Sequence, residues 1–461
     1  MNSSSKKHEI CDKQGNCIDR LSELPDEILI HILSLLPIKD AVRTVLLRRF
    51  GKLWTLLRTI EYDFRQDAIE YDFGRADWFI EYDFGQDGLF INKVMKYLKS
   101  PIIDKVVIRE KSGPLKEELM KLITFGLKKK TKVLGIHFDD FSFEVPRVVW
   151  RNQFIVSLHL TKVCLGFTRC TRIHMGSLKK LELNCLCESN ERIKTLLAGF
   201  PCLQELVIKY PKMLQALHFG APSIEKLELD LCLNMRKPTC VNSIFYHERF
   251  SLDCPNLKLL HINEVCLETL DLIDVSSVRE AKITECCMSR DNVDYFEILI
   301  EKFRNAKIFQ LGDKAYLQLE KCGSEKLAFR ENRWTHLALR SVIHGSCLLG
   351  ICRLLRNSRR LKELIIYADV DFFCDCDLLL DELSSSSVMR RLKIVTIREY
   401  EKPCQGLLQL IKFVLKSAVV LDKLVIVCNK KDELYSTEEN DFILQLSGFP
   451  RASRKANVVF A

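Results

Sequence analysis

The sequence predicts an α/β fold, in which a short all-helical N-terminal segment precedes a solenoid of leucine-rich repeats. One apolar spacing recurs thirteen times between residues 103 and 426, with a mean period of 26.5 residues. This period lies within the range of about 20–29 residues that is typical of leucine-rich repeats. Apolar residues at helical spacing before residue 50 predict the helical segment.

Each repeat has three apolar positions, separated by two variable residues and then by one. The last two apolar residues lie two positions apart, so they point to the same side of a short strand. One unit cannot bury this side alone, whereas stacked units form a parallel sheet over a continuous core. We therefore expect parallel strands on the concave face and helices or loops on the convex face. Three of the thirteen triplets are Ile103–Val106–Ile108, Val133–Ile136–Phe138 and Leu421–Leu424–Ile426.

Two segments between the predicted strands, 191–200 and 407–415, have the character of helices. Strands that alternate with helices also occur in doubly wound α/β sheets. No Gly-rich phosphate-binding loop follows a predicted strand, and the spacing is regular, so the repeat architecture is favoured.

Composition excludes several classes of function. The net charge of +9 is a mild excess for 461 residues and gives no reason to expect a nucleic-acid partner. The longest stretches without a charged residue span 12 residues, so we expect no membrane segment. The 20 cysteines lie scattered among apolar positions, and residues 1–19 do not have the character of a signal peptide. We therefore expect reduced thiols and a cytoplasmic or nuclear protein.

The N-terminal module combines two helical patterns. After Pro25, six apolar residues between Ile28 and Leu36 follow helical spacing, and Pro37 ends the first helix. Asp40 is a candidate N-cap for a second helix. About 40 residues are too few for a strong core of their own. The module therefore either caps the first repeat or presents apolar anchors to a partner.

Two groups of motifs can be compared with known families. The N-terminal module contains 21–29 (LSELPDEIL), 31–37 (HILSLLP), 41–44 (AVRT) and Leu53-Trp54, and the C-terminal region contains 415–426 (LKSAVVLDKLVI), 449–453 (FPRAS) and 458–460 (VVF). The first group resembles the plant F-box, and the second resembles the FBD segment. Their order is that of plant F-box/LRR (F-box/FBD/LRR-repeat) proteins.

Five segments follow from these patterns. We predict a disordered tail over 1–18, the F-box over 19–58, a linker over 59–100, the repeats over 101–382, and an FBD-like segment that continues the repeats over 383–461. The linker contains three copies of IEYDF, at 60–64, 69–73 and 80–84. We interpret them as a local duplication that forms an irregular surface loop or extra edge strands.

The resemblance implies a non-catalytic substrate-recognition subunit of an SCF-type cullin–RING E3 ubiquitin ligase, with no cofactor. The F-box would dock on a Skp-type adaptor, and through it on the cullin and RING subunits, while the repeats would bind an unknown target protein. No nucleic acid and no membrane are implied as partners. The residues implied at or beside the adaptor contact are Leu24, Pro25, Ile28, Ile32, Leu35, Leu36, Pro37, Val42 and Leu46.

One departure from the family pattern leaves an alternative open. After Thr44 the chain is one residue shorter than is usual, and Phe50 replaces the usual Trp. A deletion within a helix rotates all later residues by about 100°. The alternative is therefore a decayed F-box/LRR binding module that no longer engages the ligase.

The alternation within the predicted strands also indicates the target-binding face. Residues beside the buried pairs should face the concave side, and their mixed charges suit protein recognition. The candidates are Glu182, Lys209, Glu228, Asp230, His261, Lys282, Arg340, Tyr367 and Arg398.

Cys374 and Cys376 lie in an acidic segment that has the residue types of a metal site. A zinc site needs a second pair of ligands at suitable spacing, and the sequence offers none nearby. We expect an acidic loop between repeats and no metal centre.

Overall fold

A computed structural model of the chain confirms the mixed α/β class. It describes residues 21, 23–46, 49–63, 84–111, 115–168, 171–212, 214, 218–231, 250–263, 270–284, 293–312, 331–343, 345–369, 389–400, 405–428 and 436–460. The chain divides into two compact units, one formed by residues 1–181 with 196–202 and the other by residues 182–195 with 203–461.

The helices of the described residues are α1 (Asp26–Ser34), α2 (Ile38–Arg43), α3 (Phe84–Tyr97), α4 (Lys116–Lys128), α5 (Asn190–Ala198), α6 (Val293–Phe303), α7 (Gly345–Arg356), α8 (Gln405–Ser417) and α9 (Ser436–Ser447). The strands are β1 (Thr59–Asp63), β2 (Lys105–Glu110), β3 (Val133–Phe138), β4 (Ser157–Thr161), β5 (Lys180–Asn184), β6 (Glu205–Lys209), β7 (His218–Gly220), β8 (Lys226–Asp230), β9 (Phe250–Asp253), β10 (Leu259–Asn263), β11 (Leu270–Asp274), β12 (Glu280–Thr284), β13 (Ile308–Leu311), β14 (His336–Val342), β15 (Glu363–Asp369), β16 (Ile394–Tyr400), β17 (Lys423–Cys428) and β18 (Asn457–Phe460). The predicted helices at 191–200 and 407–415 are confirmed as α5 and α8.

In the first unit, β1, β2, β3 and β4 lie side by side in chain order and pair in parallel. Ile60, Val106, Leu134 and Leu158 occupy one register position, and none of them is exposed to solvent. Corresponding residues of successive strands therefore stack into one core, as the repeat pattern predicts.

The register of β3 corrects one predicted triplet. Val106 pairs with Leu134, not with Ile136, so the triplet of this repeat begins at Thr131 and not at Val133. Thr131 is fully buried in a position that is apolar in the other repeats. The sequence obscured this because Phe138 continues the apolar alternation by one further step.

The hydroxyl of Thr131 is buried without a hydrogen-bond partner. We expect Thr131→Val to raise the free energy of unfolding by about 1 kcal/mol, because it replaces an unsatisfied polar group by a methyl of similar shape. Urea unfolding would measure this change. Thr161→Val is the matched control, because the Thr161 hydroxyl lies 2.9 Å from Nδ1 of His137, and its loss should destabilise the protein. Equal losses in the two variants would contradict the prediction.

In the second unit, ten strands follow one another in the order β6, β8, β10, β12 to β18. One register position carries Leu206, Leu227, Leu260, Ala281 and Phe309, all buried. The small Ala281 side chain lies next to the large ring of Phe309 in the neighbouring strand, so the two side chains together fill the core layer.

The segments between the strands of the main sheet differ in part from the prediction of helices or loops. Strands β7, β9 and β11 form a separate parallel sheet in the order β11-β9-β7. Leu270 and Leu272 are buried while Asp271 and Ile273 are exposed, an alternation with the period of a strand. Only short segments connect these strands to the next repeat, which leaves no room for a helix.

Besides β7, β9 and β11, two further strands lie outside the thirteen predicted triplets. The first IEYDF copy lies largely in β1, at one edge of the sheet of the first unit, so this copy forms an extra edge strand and not the irregular surface loop that was the other alternative. The second copy and most of the third lie outside the described residues, and α3 begins at Phe84. The other added strand is β18, which pairs with β17.

The FPRAS motif precedes β18 and is hydrogen-bonded to the last repeats. The Ser453 hydroxyl donates to the carbonyl of Leu421 at 2.7 Å, and the Ala452 amide donates to the carbonyl of Leu415 at 2.9 Å. Because Ser453 is buried, these bonds hold the approach to β18 against α8 and the start of β17.

Candidate functional site

The N-terminal module buries one side of each of its helices. Leu29 and Leu33 of α1 and Ile38 and Ala41 of α2 are each no more than 1% exposed. The first helix contacts the short 3-10 helix Leu53–Leu56, and the second contacts β1. The module therefore packs against the first strand of its unit, as the capping interpretation requires.

An ion pair joins the module to α3. Lys39 Nζ lies 2.9 Å from Oδ1 of Asp87, and both side chains are largely buried. The same ammonium group lies 5.4 Å above the ring of Tyr62, whose hydroxyl donates to Asp87 at 3.4 Å. These contacts fix α2 against β1 and α3 through charge as well as apolar packing.

The implied adaptor residues lie on the other side of the module. Eight of the nine have a described environment, and none of those eight is buried. Leu35 is 72% exposed, Ile28 46% and Leu36 38%. Pro25 is exposed, Leu24, Ile32, Pro37 and Val42 are half-buried, and the side chain of Leu46 lies outside the described residues.

The first helix thus carries two apolar stripes. Ile28, Ile32 and Leu35 follow one another at spacings of four and three residues, and we call them the outer stripe. Leu29 and Leu33 form the inner stripe, which is buried. A surface helix with a single core-facing stripe has polar residues on its opposite side. The outer stripe therefore presents apolar area that the chain does not cover in the part that the structure describes.

Other exposed apolar residues of the module were missed by sequence reasoning. Leu21, Val45 and Leu56 are 47%, 49% and 45% exposed. Val45 precedes Leu46 in the second apolar pattern, but periodicity alone does not tell which residue of such a pair faces solvent.

The predicted N-cap at Asp40 is wrong. The second helix begins at Ile38 with Pro37 as its N-cap, and Asp40 lies in its first turn, where it pairs with Arg43 at 2.9 Å. Because Ile38 is buried, the helix begins directly after Pro37. Proline is well suited to a helix start, since it lacks an amide hydrogen that would need a partner there. Phe50, the replacement for the usual Trp, is 4% exposed and so belongs to the core of the module.

The predicted target-binding residues lie on the side of the strands away from the core, which we call the open face. Strands β5, β8, β10 and β12 each alternate between half-buried and buried residues. The nine predicted residues take the half-buried positions, except Arg398, which is exposed.

Several charges on the open face pair with one another. Lys209 Nζ lies 2.8 Å from Oε1 of Glu228, and this hydrogen bond raises the pKa of Lys209. His261 and Lys282 both contact Oε1 of Glu280, at 3.2 and 2.7 Å. Partial burial alone would raise the pKa of Glu280, but the hydrogen bonds from Lys282 and His261 keep it below its ordinary value.

Neutral side chains extend this network. The Asn263 amide donates to Asp230 at 3.2 Å, and the Thr284 hydroxyl donates to the Asn263 side-chain oxygen at 2.9 Å. The polar groups are therefore held in place before a partner arrives, which favours specificity over nonspecific attraction.

Burial lowers the pKa of His261 below 6.5, against the opposing hydrogen bond to Glu280. The folded protein then binds a proton at His261 less readily than the unfolded chain, so lowering the pH through 6.5 should reduce stability. We expect His261→Gln to flatten this part of the pH dependence of the free energy of unfolding. The exposed His174 offers a matched control in His174→Gln. An unchanged profile in His261→Gln would contradict the prediction.

Toward the C-terminus the open face becomes more apolar. Ala338, Ile365, Thr396 and Val425 share one register position, which the polar Glu228 and His261 occupy in earlier repeats. Beside them the Arg340 guanidinium lies 5.2 Å from the centre of the Tyr367 ring. Tyrosine and arginine are common anchors of protein interfaces. Sequence reasoning did not identify Ile365 as an open-face residue, because it forms one continuous apolar run with the core residues on either side of it.

Within the described residues, no group of three or more His, Cys, Asp or Glu could hold a metal ion, and Cys374 and Cys376 lie outside them. None of the described helices is both long and apolar enough to cross a membrane.

The fold and one family model define the class of protein. The FBD family model matches residues 386–426, which contain β16, α8 and the first four residues of β17. The described fold is thus a sheet of parallel strands in repeat order, consistent with a leucine-rich-repeat solenoid, and its C-terminal part matches the FBD family.

Curated plant proteins give a closer comparison. The chain is 25% identical over 370 residues to F-box/LRR-repeat protein At3g03360 of Arabidopsis thaliana, covering 76% of this chain and 70% of that protein. It is 26% identical over 387 residues to putative FBD-associated F-box protein At5g56400 of the same plant, covering 82% and 78%. It is 27% identical over 260 residues to putative F-box/FBD/LRR-repeat protein At4g00315, also of that plant, covering 54% of each. The chain is therefore similar to plant proteins named F-box/LRR-repeat and F-box/FBD/LRR-repeat proteins, which confirms the sequence resemblance.

Proposed function

We propose that this protein is the substrate-recognition subunit of an SCF-type cullin–RING E3 ubiquitin ligase. In this role the F-box docks on a Skp-type adaptor, which links it to the cullin and RING subunits, and the repeats hold the target protein. The protein carries no reaction itself and acts in the cytoplasm or the nucleus.

The single observation that supports this proposal best is the division of α1 into two apolar stripes. The inner stripe is satisfied by packing within the first unit, whereas Ile28 and Leu35 remain exposed. Exposed apolar area flanked by polar residues is typical of a protein-interaction site. The names of the relatives, which are F-box proteins, agree with an adaptor as the occupant.

The open face supports the second half of the proposal. It combines internally paired charges over β6 to β12 with an apolar, Arg- and Tyr-bearing region over β14 to β17. An interface needs an apolar anchor and a polar surround, and this face offers both within one unit.

The direct test is affinity purification of the full chain from plant cells, followed by mass spectrometry. We expect the adaptor and cullin to copurify, together with at least one further protein. A folded chain that retains no adaptor at micromolar concentration would leave the alternative, a decayed module that no longer engages the ligase.

A further inference from the structure

The approach to the strands of the second unit uses one recurring turn. The amide of Ile224 donates to the carbonyl of Ala221, Val278 donates to Val275, and Leu361 donates to Ser358, at 3.2, 3.1 and 3.0 Å. Each turn directs its two central residues toward solvent. In the earlier repeats these residues are neutral, namely Pro222-Ser223 and Ser276-Ser277, so the turn itself does not require charge.

Later repeats carry cations at the corresponding sequence positions: Arg359-Arg360 lies in the third of these turns, and Arg390-Arg391 precedes Leu392 in the same way. Arg-Arg-Leu-Lys occurs twice, at 359–362 and 390–393, and leads into the neighbouring strands β15 and β16. The Lys393 amide donates to the Lys362 carbonyl at 2.8 Å, so the two copies lie in register, about 4.8 Å apart. All six basic side chains are exposed.

The six basic side chains of the two copies repel one another electrostatically. Among the residues that the structure describes, none of these six cations forms an ion pair. The one carboxylate that follows them in the row is the exposed Asp422, whose amide bonds to the carbonyl of Lys393. Like charges at adjacent positions of a sheet are unfavourable, so folding alone gives no reason for this pattern.

The position of Lys362 and Lys393 carries cations in earlier repeats as well. This row of residues, one from each repeat, ends at a cavity that we call the recess. Backbone hydrogen bonds join Lys258 to Arg279, Arg279 to Lys307, and onward through Thr335 to Lys362. Lys258, Arg279 and Lys307 line a cavity of about 420 Å³, and no carboxylate lines it. Glu225 precedes Lys258 in the row and pairs with its ammonium group at 2.8 Å, so Arg279 and Lys307 supply the unneutralised charge of the cavity. The other donors that line the cavity include Ser276, Ser277, Asn256 and Asn305.

We propose that this basic rim binds an acidic segment of a partner protein, in extended conformation, with one anionic group seated in the recess. The rim comprises Lys258, Arg279, Lys307, Arg359, Arg360, Lys362, Arg390, Arg391 and Lys393. The inference does not depend on the adaptor contact, because the rim lies in the second unit and the F-box lies in the first.

The dimensions fit such an occupant. Five steps between paired strands separate β10 from β16, a distance of about 24 Å at about 4.8 Å per step. An extended peptide of about seven or eight residues spans that distance. The arginine fork matches carboxylate and phosphate geometry, which favours a segment rich in Asp and Glu or in phosphorylated side chains.

The same residues disfavour a nucleic acid. Single-stranded nucleic acids bind where aromatic side chains stack on the bases, and no rim residue is aromatic. The rim is also one row of cations along strand ends, with no element that could enter a groove of a duplex.

The test uses the full chain and a fluorescent peptide of about eight residues that alternates Glu with Ser, read by anisotropy. The rim variant is Arg359→Glu with Arg390→Glu. Its matched control is Lys128→Glu with Arg147→Glu, two exposed cations of the first unit that change the net charge equally. We expect the rim variant to lose at least about tenfold in affinity and the control to lose less than about twofold. The thermal midpoint of the rim variant should be no lower than that of the wild type, because repulsion is relieved.

Three results would overturn the inference. The first is equal binding by the rim variant and its control. The second is equal binding of a peptide with Gln in place of Glu. The third is competition by oligodeoxythymidine as effective as that of the acidic peptide itself, which would indicate a general polyanion surface and not one for a protein segment.

Discussion

Ile28→Ala combined with Leu35→Ala should abolish the binding of a Skp-type adaptor while the protein keeps its thermal stability. The two side chains are 46% and 72% exposed, so their truncation leaves little cavity inside the module. Central anchors of an interface each contribute about 2 kcal/mol or more, so the double variant should bind at least about a thousandfold more weakly. Isothermal titration of the purified full chain with the adaptor measures this change.

Leu89→Ala is the matched control for exposure, because this leucine of α3 is 62% exposed and lies outside the proposed contact. It should bind the adaptor as the wild type does. Leu29→Ala serves the opposite purpose, since the loss of a fully buried side chain should lower stability first. Wild-type affinity in the double variant would place the adaptor contact elsewhere on the chain.

The largest effect on stability is expected from Trp334→Ala. The indole is fully buried, stacks on Phe309 with ring centres 4.6 Å apart, and donates from Nε1 to the carbonyl of Phe303 at 2.8 Å. Its removal leaves a cavity and an unpaired carbonyl, which together should lower the free energy of unfolding by about 3–5 kcal/mol. Urea unfolding monitored by far-UV circular dichroism measures the loss.

Trp334→Phe separates the two contributions to this effect. It keeps an aromatic ring against Phe309 but removes the N–H donor, so it should cost less than the alanine variant. A loss below about 1 kcal/mol in Trp334→Ala would show that this stack does not support the core of the second unit.

Much of the fold could be predicted from periodicity, because core positions repeat along the chain in the same order as the strands lie in the sheet. Twelve of the thirteen predicted triplets agree with the strands of the structure, including Val278–Ala281–Ile283, in which a small alanine takes the middle position and pairs with Phe309 of the next strand. The failure at Val133 has a local cause. Thr131 breaks the apolar pattern at its first position and Phe138 extends it at the end, so two registers fit the same segment.

The candidate site was less accessible to sequence reasoning. The implied adaptor residues follow from the F-box resemblance, but Ile28 and Leu29 are equally apolar neighbours in the sequence. Only packing against the 3-10 helix at Leu53–Leu56 and against β1 decides that Leu29 is buried and Ile28 is not. The partners of the open-face charges were equally hidden, since Lys209 and Glu228 lie 19 residues apart in the chain.

The sequence by itself thus determined the class of fold, the repeat period and the identity of most core residues, because these depend on spacing along one strand or one helix. The tertiary structure alone decided which apolar stripe of α1 remains uncovered, and which charges pair across the open face. It alone also brought two Arg-Arg-Leu-Lys segments together, although they lie 31 residues apart. Strand pairing places residues one whole repeat apart within about 5 Å of each other, and no local pattern records that distance.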